Sequence, residues 1–222
     1  MNWYQLDVKE TLRKLDTSEN GLVDAEIRNR QKQYGPNKLV EAERISPLKI
    51  LLHQFTSPLI YILLVAGVVT FLLKEFVDSG VIFAVVLLNA VIGFIQEFKA
   101  EESVRALKKM VVPKARVVRD GKEKEINSEE LVPGDMVLLA SGAKVPADLR
   151  LIHTIELRVD EAMLTGESVA AEKMTAPIRE ENLTPGDQRN MVFMGTVVVN
   201  GRAKGIVTAT GTKTVLGGIA ED

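Results

Sequence analysis

Apolar positions are spread unevenly along this chain. Residues 54–73, QFTSPLIYILLVAGVVTFLL, carry no charged side chain. As a helix, about 20 residues span about 30 Å, the thickness of a bilayer's hydrocarbon core. Residues 79–96, SGVIFAVVLLNAVIGFIQ, form a second uncharged run of about 18 residues, near the lower limit for a span. Only KEFVD lies between them, so the pattern predicts a tight antiparallel pair of membrane helices. A buried helical pair in a soluble protein is the alternative, and two adjacent runs of this length argue against it. Pro58 should kink the first span or mark its first turn. Asn89 either bonds a neighbouring helix or is a tolerated polar residue facing protein. The run continues as EFKAEESVRALKKM, rich in helix formers. Phe98, Val104 and Leu107 lie on an apolar stripe, and Glu102 stands four residues before Ala106 on a polar side. This predicts a stalk leaving the bilayer, able to transmit motion, with an ordinary solvated helix as the alternative.

The flanking segments have other periods. GLVDAEIRNRQKQYGPNKL predicts a short helix through Ala25, Ile27, Gln31 and Tyr34, stopped by Gly35 and Pro36. After the stalk the period becomes that of strands. KARVVRDGKEKEI predicts a hairpin about Asp120-Gly121. MVLLA and LRLIHTIELRVD are further strands, separated by turn residues Gly134, Gly142 and Pro146. MVFMGTVVVNGRAKGIVTATG predicts two more strands about Asn200-Gly201. Residues 111–218 thus read as a compact all-β domain, with the polar, Pro-bearing stretch 174–190 as its longest loop.

Composition and charge narrow the picture. A formal charge of -2 gives no global field toward nucleic acid or an acidic partner. The absence of Cys excludes disulfides and thiolate zinc sites, and His53 and His153 lie too far apart in sequence to make a metal motif. A charged segment of about fifty residues precedes the first apolar run, which is therefore no secretory signal. Arg44 and Lys49 flank the first span and Lys99, Arg105, Lys108 and Lys109 follow the second, whereas the connecting turn has only Lys74. Both ends of the chain are expected on the cytoplasmic side, which makes the sequon Asn182-Leu183-Thr184 idle.

Candidate chemistry lies in DEAMLTGESVAAEK, residues 160–173, where Glu167 follows Thr165 and Gly166 and precedes Ser168. A surface loop is the plain reading of four such residues. Their surroundings change that. YGPN (34–37), NAVIGFIQEFKAEES (89–103), LVPGD (131–135), KVPADLRL (144–151), VDEAMLTGES (159–168) and MVFMGTVVVNG (191–201) occur in one order, each in its expected setting. With them the whole chain resembles the front third of a P-type cation-transporting ATPase. The resemblance implies a mixed α and β membrane protein: a two-helix transmembrane hairpin with a helical stalk, plus an all-β distorted jelly-roll actuator domain. The parts are an N-terminal cytoplasmic helical segment at 1–49, the transmembrane hairpin at 50–98, the stalk helix at 99–112 and the actuator at 113–222.

Such pumps phosphorylate an Asp on another domain with ATP and Mg²⁺, then hydrolyse the aspartyl phosphate while the actuator's TGES loop swings over it. By this resemblance Glu167 accepts a proton from, or orients, the attacking water. Gly166 lets backbone approach the phosphoryl oxygens, and Thr165 and Ser168 hydrogen-bond the loop or the phosphoryl group. No cofactor or metal is expected on this chain, since Mg²⁺ and ATP act in the complete pump. Pro133, Gly134 and Asp135 read as a structural turn. Pro146, Ala147 and Asp148 are expected to brace the loop beneath Glu167. Asp160 and Glu161 read as solvated or loop-bracing acids ahead of a second catalytic group or metal site. Glu97 and Glu101 read as an interfacial helix face ahead of a cation entry path.

Two positions depart from the family pattern. Gly142-Ala143 stands where Gly-Asp is frequent, and Ala170 stands where Pro is frequent. Both bear on loop rigidity more than on chemistry. Asp-Lys-Thr-Gly, the family's phosphorylation loop, does not occur in these 222 residues, so the chain is expected to be an N-terminal fragment of a pump. Its partners are then the lipid bilayer, the phosphorylation and nucleotide-binding domains, and a transported cation, with no nucleic acid. The long segment after TGES and the YGPN helix resemble the type II group, making Ca²⁺ the first choice and Na⁺/K⁺ the second. The expected location is a membrane crossed more than once, the plasma membrane in a bacterium or archaeon. Two other functions compete: a non-enzymatic membrane-anchored β-domain that binds or regulates a partner pump, and a channel-like oligomer of the helix pair.

Overall fold

The computed structural model of the chain describes residues 2–39, 46–110, 113–166 and 169–221. Two compact units emerge: Met1–Glu41 together with Val112–Asp222, and Ala42–Val111. In chain order the helices are α1 (Val8–Lys14), α2 (Asp24–Tyr34), α3 (Pro47–Gln54), α4 (Pro58–Leu72), α5 (Phe76–Met110), α6 (Ala162–Thr165) and α7 (Val215–Glu221). The strands are β1 (Lys114–Arg119), β2 (Lys122–Asn127), β3 (Met136–Ala140), β4 (Asp148–Asp160), β5 (Ala171–Glu172), β6 (Met191–Val192) and β7 (Val197–Ala209).

In the first unit an antiparallel sheet runs β2-β1-β3-β7-β4-β5, with β6 paired to β4. Its core holds Val117, Leu131, Val137, Leu149, Leu151, Leu157, Val159 and Val207, all fully buried. The β1–β2 turn uses Asp120 and Gly121 at φ 51° and 70°, the paired left-handed geometry that a two-residue hairpin turn demands.

The second predicted turn is corrected by the structure. Asn200-Gly201 does not end a strand, because β7 runs straight through it for 13 residues. Gly201 has φ 87°, and a Cβ there would stand 2.3 Å from the Ile155 carbonyl oxygen and 2.4 Å from that of Glu156. Opposite it the register slips between Ile155 and Arg158. The glycine is needed for a β-bulge and a close backbone approach, the other use of a strand glycine.

Strands alone do not complete this unit. An Asp7/Glu10 capping box starts α1, a D-x-x-E signal that assigned no element in the sequence reading. Leu12 and Leu15 pack on Val118, Met136 and Ile206, and Ile27 of α2 packs with Leu22 and Val132. The buried Arg30 donates to the carbonyls of Leu15, Asp16 and Pro133, tying both helices to the 131–135 turn. Asn37 of YGPN is fully engaged: its amide donates to Ser128 and Pro146 carbonyls, and its oxygen accepts from Gly211 N–H. In the LVPGD turn, Asp135 takes a two-pronged bond from Arg119 at 2.9 and 2.6 Å, a structural role as expected.

In the second unit the first apolar run is not one helix. α3 and α4 meet at a bend of 63°, and Pro58 opens α4, whose own 15 residues cover about 22 Å. Residues Phe76–Ser103 of α5 are long and apolar enough to cross a membrane, and the bent pair passes the same test if taken as one span. The turn between α4 and α5 is shorter than KEFVD, because α5 already begins at Phe76. The two helices run antiparallel. Ser79 donates to the Gly67 carbonyl, a Cβ on Gly67 would touch Ile82 and Phe83, and Gln54 donates to Glu97 at 2.6 Å. Leu59, Ile62, Val65, Val77, Leu87 and Leu88 are exposed, an apolar surface suited to lipid rather than water. Asn89 and Glu101 are exposed as well. α5 continues unbroken to Met110 through the stretch expected to form a stalk, although the stripe side chains of Val104 and Leu107 lie outside the described residues.

Gly201→Val should cost about 3 kcal/mol or more through strain and collision. Gly121→Asn should cost under about 1 kcal/mol, because Asn tolerates the left-handed turn. Denaturant unfolding of the full chain in detergent compares them, and equal losses would contradict the bulge assignment.

Candidate active-site loop

The TGES segment bridges β4 and β5, which pair through Arg158↔Glu172 and Val159↔Ala171. Asp160 starts it by accepting the Ala162 N–H at 2.9 Å, a local side-chain bond typical of turns. The Glu161 carbonyl then accepts from Leu164 N–H, Thr165 N–H and the Thr165 hydroxyl, closing the single turn of α6. Gly166 ends it at φ 74°, ψ 0°, the left-handed cap that favours glycine. Among the described residues, its chain neighbours aside, no atom lies within 4 Å of where a Gly166 Cβ would be. The glycine therefore serves the cap's geometry as well as leaving its surface open. Thr165 and Gly166 stand exposed side by side, whereas Glu167 and Ser168 lie outside the described residues.

Neighbouring segments hold the loop from three directions. Met163 lies over Gly195, where a Cβ would stand 2.9 Å from its Sδ. The Thr165 methyl lies over Gly186 in the 174–190 loop, where a Cβ would stand 2.6 Å away. Leu164 joins a cluster of Tyr4, Met191, Phe193, Ile178 and Leu183, so the N-terminal residues pack beneath the loop.

Buried polar groups tie these supports together. Arg150 donates to five carbonyls: Trp3, Leu6, Leu151, Thr175 and Asn190. Burial lowers its pKa to about 10, with Asp7 opposing the shift, so it stays charged at neutral pH. The Asn190 amide bridges the Tyr4 and Ala176 carbonyls at 2.8 Å each. Asp148 accepts from Met194 N–H at 2.9 Å and Val215 N–H at 2.8 Å. It thus braces the turn on which Met163 rests. A place directly beneath Glu167 lies outside the described residues. Burial raises the Asp148 pKa to about 6 despite those two bonds. Finally, Glu161 and Lys173 form a buried ion pair at 2.6 Å across the loop's base. Asp160 and Glu161 are therefore loop-bracing acids. Arg150, Asn190, Lys173 and Tyr4 had no place in the sequence reading. The available signals were an Arg between two inward leucines and a Lys ending a small-residue stretch.

Among the described residues, no group of three or more His, Asp or Glu gathers as a metal site. The described part of the loop presents exposed Thr165 and Gly166 above this bonded base.

Comparison with known proteins fits this architecture. The P-type ATPase actuator domain family matches residues 109–222, and the cation transporter/ATPase N-terminus family matches residues 3–70. The chain belongs to the P-type ATPase family. It is 52% identical over 201 residues to the probable cation-transporting ATPase F of Mycobacterium tuberculosis, covering 90% of this chain and 22% of that protein. It is 43% identical to calcium-transporting ATPase 1 of Bacillus cereus, covering 99% and 25%. Against the sodium/potassium exporting P-type ATPase cta3 of Schizosaccharomyces pombe it is 40% identical, covering 98% and 21%. The chain therefore spans between a fifth and a quarter of the curated relatives' length. The alternative of a non-enzymatic membrane-anchored β-domain that binds or regulates a partner pump is not favoured by these matches.

Asp148 gives the first unit a pH signature. Its folded pKa, about 6, lies above the ordinary 3.8, so the folded state holds the extra proton between those values. Stability should rise as pH falls from about 6 to about 4, by at most about 3 kcal/mol. Asp148→Asn should abolish that gain. Chemical denaturation of both proteins at pH 7 and pH 4.5 checks this, and parallel pH profiles would contradict it.

Proposed function

We propose that this chain supplies the actuator and first membrane helix pair of an ATP-driven cation pump, and that residues 165–168 promote hydrolysis of its aspartyl phosphate. The observation that carries the reading is the mounting of the TGES segment: exposed Thr165 and left-handed, unobstructed Gly166 on a base fixed by buried charge. An acyl phosphate on another domain needs an in-line water and an acceptor for its proton. Glu167 is that acceptor. Gly166 admits the phosphoryl oxygens, and the hydroxyls of Thr165 and Ser168 bond the loop or the phosphoryl group. ATP and Mg²⁺ serve the phosphorylation step in the remainder of the pump.

The sheet is the distorted jelly-roll of an actuator, and α3–α4 with α5 form the transmembrane hairpin. The chain divides at 1–49, 50–98, 99–112 and 113–222, and the first segment up to Glu41 forms one compact unit with the last. Both termini face the cytoplasm, following the basic residues flanking the spans. The membrane is crossed more than once. Ca²⁺ is the first choice of cargo and Na⁺/K⁺ the second, as the names of the relatives support.

Glu167→Gln in the complete pump should leave phosphoenzyme formation intact and slow its decay by about 10²–10⁴-fold. Pulse labelling with ATP followed by a chase measures this. Decay at the wild-type rate would remove Glu167 from the reaction.

A further inference from the structure

The loop's return strand, β5, has only two residues. So short a strand specifies its register weakly, and a slip of one position turns each side chain to the opposite face. Lys173, the next residue, points inward and meets Glu161 at 2.6 Å, with side-chain exposures of 0% and 4%. Among the described residues neither Glu161 carboxylate oxygen has another partner, nor does Lys173 Nζ. Burial pushes the Glu161 pKa up and the Lys173 pKa down, and each group's charge opposes the other's shift. An apolar pair of similar volume would fill the same space without desolvating two charges. What the charges add is a unique alignment. A slip one way would set Glu172 against Glu161, like charge on like. The opposite slip would offer Met174 and strand the buried carboxylate.

We propose that the Glu161–Lys173 pair is a register clamp that sets the position of the 162–172 loop, making both side chains positioning residues for that loop. The clamp stands on this geometry alone. Its effect on phosphoenzyme hydrolysis rests on the function proposed above.

Hydrogen exchange on the full chain in detergent tests it, using Lys173→Met, Glu161→Gln, the swap Glu161→Lys/Lys173→Glu and the apolar double Glu161→Leu/Lys173→Met. Each single variant should speed exchange about tenfold or more at the Lys173 amide, which bonds the Leu157 carbonyl at 3.0 Å, and through α6. Amides pairing β3 with β7 should stay protected, and the swap should restore protection while the apolar double does not. Full restoration by the apolar double would overturn the proposal, as would unchanged loop exchange or loss of protection throughout the sheet. In the complete pump the singles should slow phosphoenzyme decay and the swap should recover it, with phosphoenzyme formation unaltered. Loop exchange that responds while decay does not would uphold the clamp and overturn the assigned role of the loop.

Discussion

A buried guanidinium must find acceptors for five N–H donors, and Arg150 finds all five in backbone carbonyls. They come from the N-terminal segment, from β4 itself and from the ends of the 174–190 loop. All five of the bonds go to peptide carbonyls, and the Asp7 carboxylate adds a favourable charge nearby. That makes the arrangement demanding, because a buried donor without an acceptor costs about 1–3 kcal/mol, and more for a charged group. Trp3, Leu6 and Thr175 must therefore hold their places together. The cluster of Tyr4, Leu164, Met191 and Phe193 builds on that junction, and α6 rests on the cluster.

Three buried charges are strung along β4 and its exit, each compensated differently. Asp148 takes two backbone N–H groups, Arg150 takes carbonyls, and Glu161 takes an opposite charge. Asp148 and Arg150 couple β4 to segments distant in sequence, and Glu161 couples its exit to the residue after β5. β4 is consequently less a sheet element with a loop at its end than a rod carrying three fixed sockets. A loop with its base so fixed suits the delivery to a separate domain proposed above.

Much of this was legible in sequence. The apolar runs, the helix continuing past them, the Asp120-Gly121 hairpin and the stop at Gly35 follow from period and turn chemistry. The Asn200-Gly201 bulge was not, because a left-handed glycine serves a turn and a bulge equally well, and only the β4 partner decides between them. The break before Pro58 was half visible, since the proline marked a first turn while the uncharged run around it concealed the bend. The supports of the loop were hidden for a different reason. Arg150 and Lys173 look like ordinary solvated side chains until the fold removes the water. Tyr4 lies some 160 residues from Leu164 in the chain, and no local pattern joins them.

The central claim is that this loop is carried to a phosphorylated aspartate, and a structure of the complete pump trapped with a metal-fluoride mimic of the phosphoryl group tests it most directly. The Glu167 carboxylate should then stand within about 3.5 Å of the mimic or of a water in line with it. Finding the Thr165–Ser168 loop turned away from the mimic, with another residue holding that water, would contradict the account.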